Sequence, residues 1–189
     1  SVVHQIMDNL IAAGKAQPMI VVMPNGHVGM TAAPGENSFG YADAKTSRNA
    51  VRTAPNSYEA TFMDVVNFID KTYRTIPDRE HRAICGLSMG GGHTAVISTN
   101  YPDKFGYIGL LSAAVSSYSN DNPRATEMTK DFDKKLEQLF SYKPFYWIAI
   151  GNEDFLYEAN KAYRAKLDEK GYKYTYVESD CGHVWKNWR

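Results

Sequence analysis

Residues 85–92 read CGLSMGGG, and no other stretch limits the fold of this chain so closely. The preceding run, Arg82 to Leu87, is short and apolar and reads as a buried strand. The following run, from about Met89 to Thr99, reads as a helix. A G-x-S-x-G pattern between the two is the signature of a sharp strand-to-helix turn that holds its serine in a strained backbone conformation with the hydroxyl outward. A competing reading takes Gly86, Gly90, Gly91 and Gly92 as allowing close helix packing, with Ser88 as an ordinary helix N-cap. The two readings differ in what the Ser88 hydroxyl does.

The rest of the chain repeats the same alternation, which predicts an α/β architecture, mainly a parallel sheet with crossover helices. Five strand-plus-helix units are expected. His4 to Ala16 carries Ile6, Met7, Leu10, Ile11 and Ala13 on one helical face, and Met19 to Met23 reads as a buried parallel strand. Residues 24–57 form a long irregular stretch with Gly26, Gly29, Pro34, Gly35, Gly40 and Pro55. A connection of that length in a compact domain points to function or disorder. Ser57 to Tyr73 reads as an amphipathic helix capped by Ser57. Strands are expected over Tyr107 to Ser112, Phe145 to Ile150 and Lys173 to Glu178, with helices near Glu127 to Phe140 and over Leu156 to Lys170, the latter stopped by Gly171.

The chain has 189 residues, enough for one domain with a core that needs no staples. Its 21 Lys plus Arg cancel its 21 Asp plus Glu. That balance provides no field for collecting nucleic acid or an anionic membrane. No apolar run reaches the roughly 18–20 residues of a bilayer span. Cys85 and Cys181 are too few for a disulfide framework and lack the CxxC spacing of a zinc or redox motif.

A serine hydroxyl is a weak nucleophile and needs a histidine base oriented by a carboxylate. Where the serine sits on such a turn, the chain order is Ser, acid, His. His4, His27 and His81 precede Ser88, and His93 lies five residues later on the same helix, so His183 in the loop CGHVW remains. A loop histidine is often only solvated, but this one directly follows the last expected strand. The acid should follow the strand before it, because sites in open parallel sheets gather at the carboxyl ends of strands. That strand ends in GNEDF, which gives Asp154 with Glu153 in reserve; either carboxylate would also cap the helix from Leu156. Asp180 is too close to His183 in sequence to take the part. An oxyanion hole takes two donors. The backbone N–H of Met89 supplies one, and the chain has no candidate for the second.

Taken together, the runs REHRAICGLSMGGG at 79–92, MPNG at 23–26, YIGLLSAA at 107–114, GNEDFL at 151–156 and CGHVW at 181–185 resemble carbohydrate esterase family 1. That group of feruloyl and acetyl xylan esterases lies within the esterase D-like superfamily of α/β hydrolases. The resemblance implies an α/β-hydrolase fold over residues 1–189, without its first strands and final helix. It implies Ser88 as nucleophile, Asp154 as acid and His183 as base, with hydrolysis in two steps through an acyl-enzyme and with no metal or organic cofactor. It further implies feruloylated or acetylated xylan and its oligosaccharides as partners, and an extracellular, periplasmic or cell-surface location. Cys181 stands where the family more usually has glycine.

Candidate walls for an acyl slot are Trp185, Leu87, Phe39 and Tyr41 of the long loop, and the Tyr118 segment after the Tyr107 strand; each competes with ordinary packing. Three readings compete with a feruloyl esterase. They are an acetyl xylan esterase, a small-ester hydrolase like S-formylglutathione hydrolase, and a non-catalytic domain that binds polysaccharide.

Overall fold

A computed structural model describes residues 3–24, 26, 58–115 and 126–188. Helix α1 (Val3–Ala12) and helix α2 (Tyr58–Thr72) precede a parallel sheet. Its strands are β1 (Ala83–Leu87), β2 (Tyr107–Leu111), β3 (Phe145–Gly151) and β4 (Thr175–Ser179), in spatial order β1-β2-β3-β4. The intervening helices are α3 (Met89–Asn100), α4 (Phe132–Ser141) and α5 (Tyr157–Glu169), and a 3-10 turn, Trp185–Trp188, follows β4. Register is regular across the sheet, from Leu87 opposite Leu111 to Leu111 opposite Ala149 and Ala149 opposite Val177. In consequence the carboxyl ends of all four strands lie along one edge.

Alternation along each strand sends one set of side chains to a closed face. Ile84, Ile108, Leu110, Tyr146 and Ile148 are buried there with Ala95 and Ile97 of α3, Leu136 and Leu139 of α4, and Tyr163 and Leu167 of α5. Among the described residues the opposite face is thinly covered. Cys85, Tyr107, Phe145 and Trp147 line an open apolar hollow of about 330 Å³ near the amino ends of the strands, away from the edge that carries the chemistry.

Three expectations need correction. Met19 to Met23 forms no strand; its side chains are 41–64% exposed. A β-branched run becomes a strand only where a neighbour pairs with it, and the described sheet offers it none, so four strands stand where five units are expected. Helix α1 forms, but none of its residues is buried. Helix α4 begins at Phe132, not near Glu127, because Asp131 adopts a left-handed φ of 52° and Thr126 to Lys130 close turns of their own. The Ser57 cap, most of the 24–57 stretch and the segment with Tyr118 lie outside the described residues.

Candidate active site

Ser88 follows β1 directly and has φ 56° and ψ −116°, a region that a residue with a Cβ occupies only under constraint. The constraint is visible in its backbone bonds. The Ser88 N–H donates to Leu111 O at 2.9 Å, and the Ser88 carbonyl accepts the N–H of Ala114 at 2.9 Å and of Gly92 at 3.1 Å. Although Ser88 holds the N-cap position of α3, its side chain makes no cap hydrogen bond. The hydroxyl is therefore not consumed by the helix, as the N-cap reading requires. Met89 opens α3, so its N–H belongs to the first helical turn, where donors lack intrahelical acceptors.

Asp154 lies three residues beyond β3. Its side chain is completely buried, and one oxygen, Oδ2, faces His183 Nδ1 at 2.8 Å. The other, Oδ1, accepts the N–H of Leu156 at 2.9 Å. One carboxylate thus serves both the helix entry and the histidine, and the competing readings of Asp154 hold together. Glu153, exposed, takes no part with its side chain; its N–H donates to Cys181 O at 3.3 Å. Asp180 accepts from Asn152 Nδ2 at 3.1 Å, away from the imidazole.

His183 lies four residues beyond β4 in a loop that crosses the end of β3 at very short range. A Cβ on Gly151 would fall 1.6 Å from Cys181 O, so that strand end admits only glycine. A carboxylate can only accept, so a neutral imidazole in this contact carries its proton on Nδ1 and its lone pair on Nε2. Among the described residues the ring has no other hydrogen bond, and Ser88 Oγ has none to it. Ser88, Asp154 and His183 are brought to the same carboxyl edge of the sheet.

Aromatic rings border the imidazole. Phe155, 75% exposed, has its centroid 4.6 Å away, and Trp188 stands edge-on at 4.8 Å. Trp185, 70% exposed, touches Trp188 at 5.7 Å, so Trp188 and not Trp185 contacts the His183 ring. Phe155 falls inside the GNEDFL run and Trp188 outside the CGHVW run, and neither run marks its aromatic as a neighbour of the histidine. The only hint is position: one directly follows Asp154 and the other falls one 3-10 turn after Trp185. Leu87 is half-buried at the end of β1, and Tyr41 lies outside the described residues. His93 faces away from Ser88: its Nδ1 meets Glu59 Oε1 at 2.6 Å, between α3 and α2. His81 pairs with Asp78 at 2.6 Å in an exposed turn. Among the described residues, no group of three His, Cys, Asp or Glu could hold a metal ion, and no helix is long and apolar enough to cross a membrane.

Comparison with known proteins points the same way. The family model Esterase matches residues 2–189. An endo-1,4-beta-xylanase/feruloyl esterase of Xylanibacter ruminicola is 40% identical over 108 residues, which are 57% of this chain and 13% of that protein. The chain thus spans about an eighth of the length of that relative. Among solved structures, a ferulic acid esterase has a TM-score of 0.69 at 25% identity, over 98% of this chain and 72% of the other. A CE1 ferulic acid esterase from Anaeromyces mucronatus, solved with ferulic acid, has a TM-score of 0.65 at 19% identity, over 95% of this chain and 64% of the other. With the parallel sheet and its crossover helices, these likenesses give the α/β-hydrolase fold.

Proposed function

Because the chain belongs to the esterase family, a family of carboxylic ester hydrolases, we propose that it cleaves feruloyl and related hydroxycinnamoyl esters on plant cell-wall xylan through an acyl-enzyme on Ser88. The observation that carries this reading is the bond between buried Asp154 and His183 Nδ1 at 2.8 Å, at the same sheet edge as a serine in an elbow conformation. A module that only binds polysaccharide has no use for that combination. The feruloyl esterase named among the relatives and the ferulic acid esterases among the solved structures support the choice of acyl group. A polymeric substrate also favours an extracellular, periplasmic or cell-surface location.

The chemistry runs in two halves. In the first, Ser88 Oγ attacks the ester carbonyl carbon while His183 Nε2 takes the hydroxyl proton. Asp154 stabilises the imidazolium through Nδ1–H, and the Met89 N–H donates to the oxyanion of the tetrahedral intermediate. Collapse breaks the bond to the sugar oxygen, which leaves as an alcohol with the proton from His183. In the second half, water loses a proton to His183 and attacks the acyl carbon. The carboxylic acid departs and the proton returns to Ser88 Oγ. No metal or organic cofactor enters either half.

The test compares kcat/KM for methyl ferulate and p-nitrophenyl acetate, with Ser88→Ala as control. A Ser88-dependent preference for ferulate is the expected result. Turnover of acetate without ferulate would move the assignment to an acetyl xylan esterase or a small-ester hydrolase like S-formylglutathione hydrolase. No turnover of either, with no fluorophosphonate labelling of Ser88, would leave a polysaccharide-binding domain.

A further inference from the structure

We propose that Trp188 and Ser112 act as a positioning pair that holds the His183 ring in register with Ser88; this rests on the reading of Ser88 as nucleophile and His183 as base. A single hydrogen bond at Nδ1 fixes one point of the imidazole but leaves the ring free to swing about it. The rotation that matters carries Nε2 toward or away from Ser88. Packing against the ring must limit that rotation, and the Trp188 indole, edge-on at 4.8 Å and 83°, is in position to do so.

The indole is itself held. Its Nε1–H donates to Ser112 Oγ at 3.2 Å. Ser112 is fully buried at the end of β2, has a positive φ of 42°, and anchors its own N–H on Ala149 O at 2.7 Å. A strained, buried, non-glycine residue persists only where its surroundings over-determine it. Those surroundings are the clasp on the nucleophile. Leu111, just before Ser112, accepts the Ser88 N–H, and Ala114, two residues after it, donates to the Ser88 carbonyl. One four-residue segment therefore fixes the peptide groups on both sides of Ser88 and presents the hydroxyl that orients the ring bracing the base.

A purely structural role for the Trp188 bond is weakened by a second anchor. The 3-10 turn is already tied down by Asn187, which accepts from Ser179 Oγ and donates to Gly182 O at 3.3 Å. The turn does not depend on Trp188 to stay in place, which leaves orientation of the ring as the effect of its N–H bond.

Trp188→Phe keeps an aromatic ring and removes the N–H; Ser112→Ala keeps the backbone and removes the acceptor. Each variant, their double, wild type and Ser88→Ala are assayed on methyl ferulate. The proton between His183 and Asp154 is followed by its low-field NMR resonance, which needs no turnover. Each single variant is expected to lower kcat about tenfold with KM within about twofold, the pattern of an interaction felt in the transition state. The double should be no worse than the poorer single, since both remove the same bond, and the low-field resonance should broaden in all three. Single variants with kcat within twofold of wild type and an unchanged resonance would overturn the pairing, as would losses that multiply in the double. If wild type cleaves no ester, the functional reading fails; the resonance then still decides whether the pair orders His183.

Discussion

Asp154 divides its two carboxylate oxygens between His183 Nδ1, at 2.8 Å, and the N–H of Leu156, at 2.9 Å. The division matters because the second bond fixes the carboxyl plane that the first bond uses. In Asp154→Asn the side-chain oxygen would remain on the Leu156 N–H, and the amide NH2 would then face Nδ1 as a donor. The imidazole would have to accept at Nδ1 and carry its proton on Nε2, the wrong tautomer for a base. A fall in kcat of about three to four orders of magnitude is expected, by analogy with the same change in serine proteases. Glu153→Gln should leave kcat within about twofold, and steady-state kinetics on an activated ester separates the two.

Strain at Ser88 gives a stability prediction that runs opposite to activity. Holding a residue with a Cβ at φ 56° and ψ −116° costs about 1–3 kcal/mol. Ser88→Gly removes that cost, less about 0.5–1 kcal/mol for the added freedom of the unfolded chain, while Ser88→Ala keeps the Cβ and the strain. Both variants should be inactive. Thermal unfolding should place Ser88→Gly above wild type by about 2–4 °C per kcal/mol gained in a domain of this size, with Ser88→Ala unchanged.

What the sequence reveals and what it hides follow from the range of the interactions involved. Strands β1 to β3 are legible as short apolar runs bounded by turn residues and β4 as the Thr, Tyr and Val that follow the turn at Gly171, and the chain order of Ser88, Asp154 and His183 follows from which strand ends precede them. Met19 to Met23 carries the same local signal and forms no strand, since pairing is supplied by a neighbour distant in sequence. Asp131 hides the start of α4 for a local reason: its left-handed φ, and the Lys135 N–H bond to its carbonyl, are invisible to apolar periodicity. The contact of Trp188 with His183 is hidden for the opposite reason, because it depends on Ser112, 76 residues away in sequence.

His93 provides a control for the choice of base. Its Nδ1 meets Glu59 Oε1 at 2.6 Å, with both side chains largely buried, and the Tyr58 ring packs over it at 4.9 Å. His93→Gln should cost about 1–3 kcal/mol through an imperfectly satisfied buried carboxylate, read as a lower urea midpoint, and leave kcat unchanged. Tyr58 adds a pH signature: burial, helped by the Glu59 charge, pushes its hydroxyl from 10.0 up to about 12. Between those values the native state keeps a proton that the unfolded chain has lost. Stability contributed by this group is therefore fully present below pH 10 and is lost as the pH rises toward 12. Tyrosinate absorbance should show several late-titrating phenols, buried Tyr146 and Glu178-bonded Tyr176 among them, and Tyr58→Phe should lower the amplitude of that late phase by one phenol.

The glycine run after Ser88 should split into a replaceable and an irreplaceable position. A Cβ on Gly91 would stand 2.5 Å from the Cβ of Ala113 and 2.8 Å from its Cα, whereas one on Gly90 meets nothing within 4 Å. Gly90→Ala should be neutral or stabilise the helix by a few tenths up to about 1 kcal/mol. Gly91→Ala must push the Ala113 backbone outward, at a cost of about 1–3 kcal/mol for overpacking. The displacement also reaches Ser88, because Ala114, the next residue, donates its N–H to the Ser88 carbonyl. Gly91→Ala is therefore expected to lose kcat at least tenfold as well as stability, and Gly90→Ala neither. Equal behaviour of the two variants in urea unfolding and ester turnover would mean that contact with Ala113 does not hold the elbow in shape.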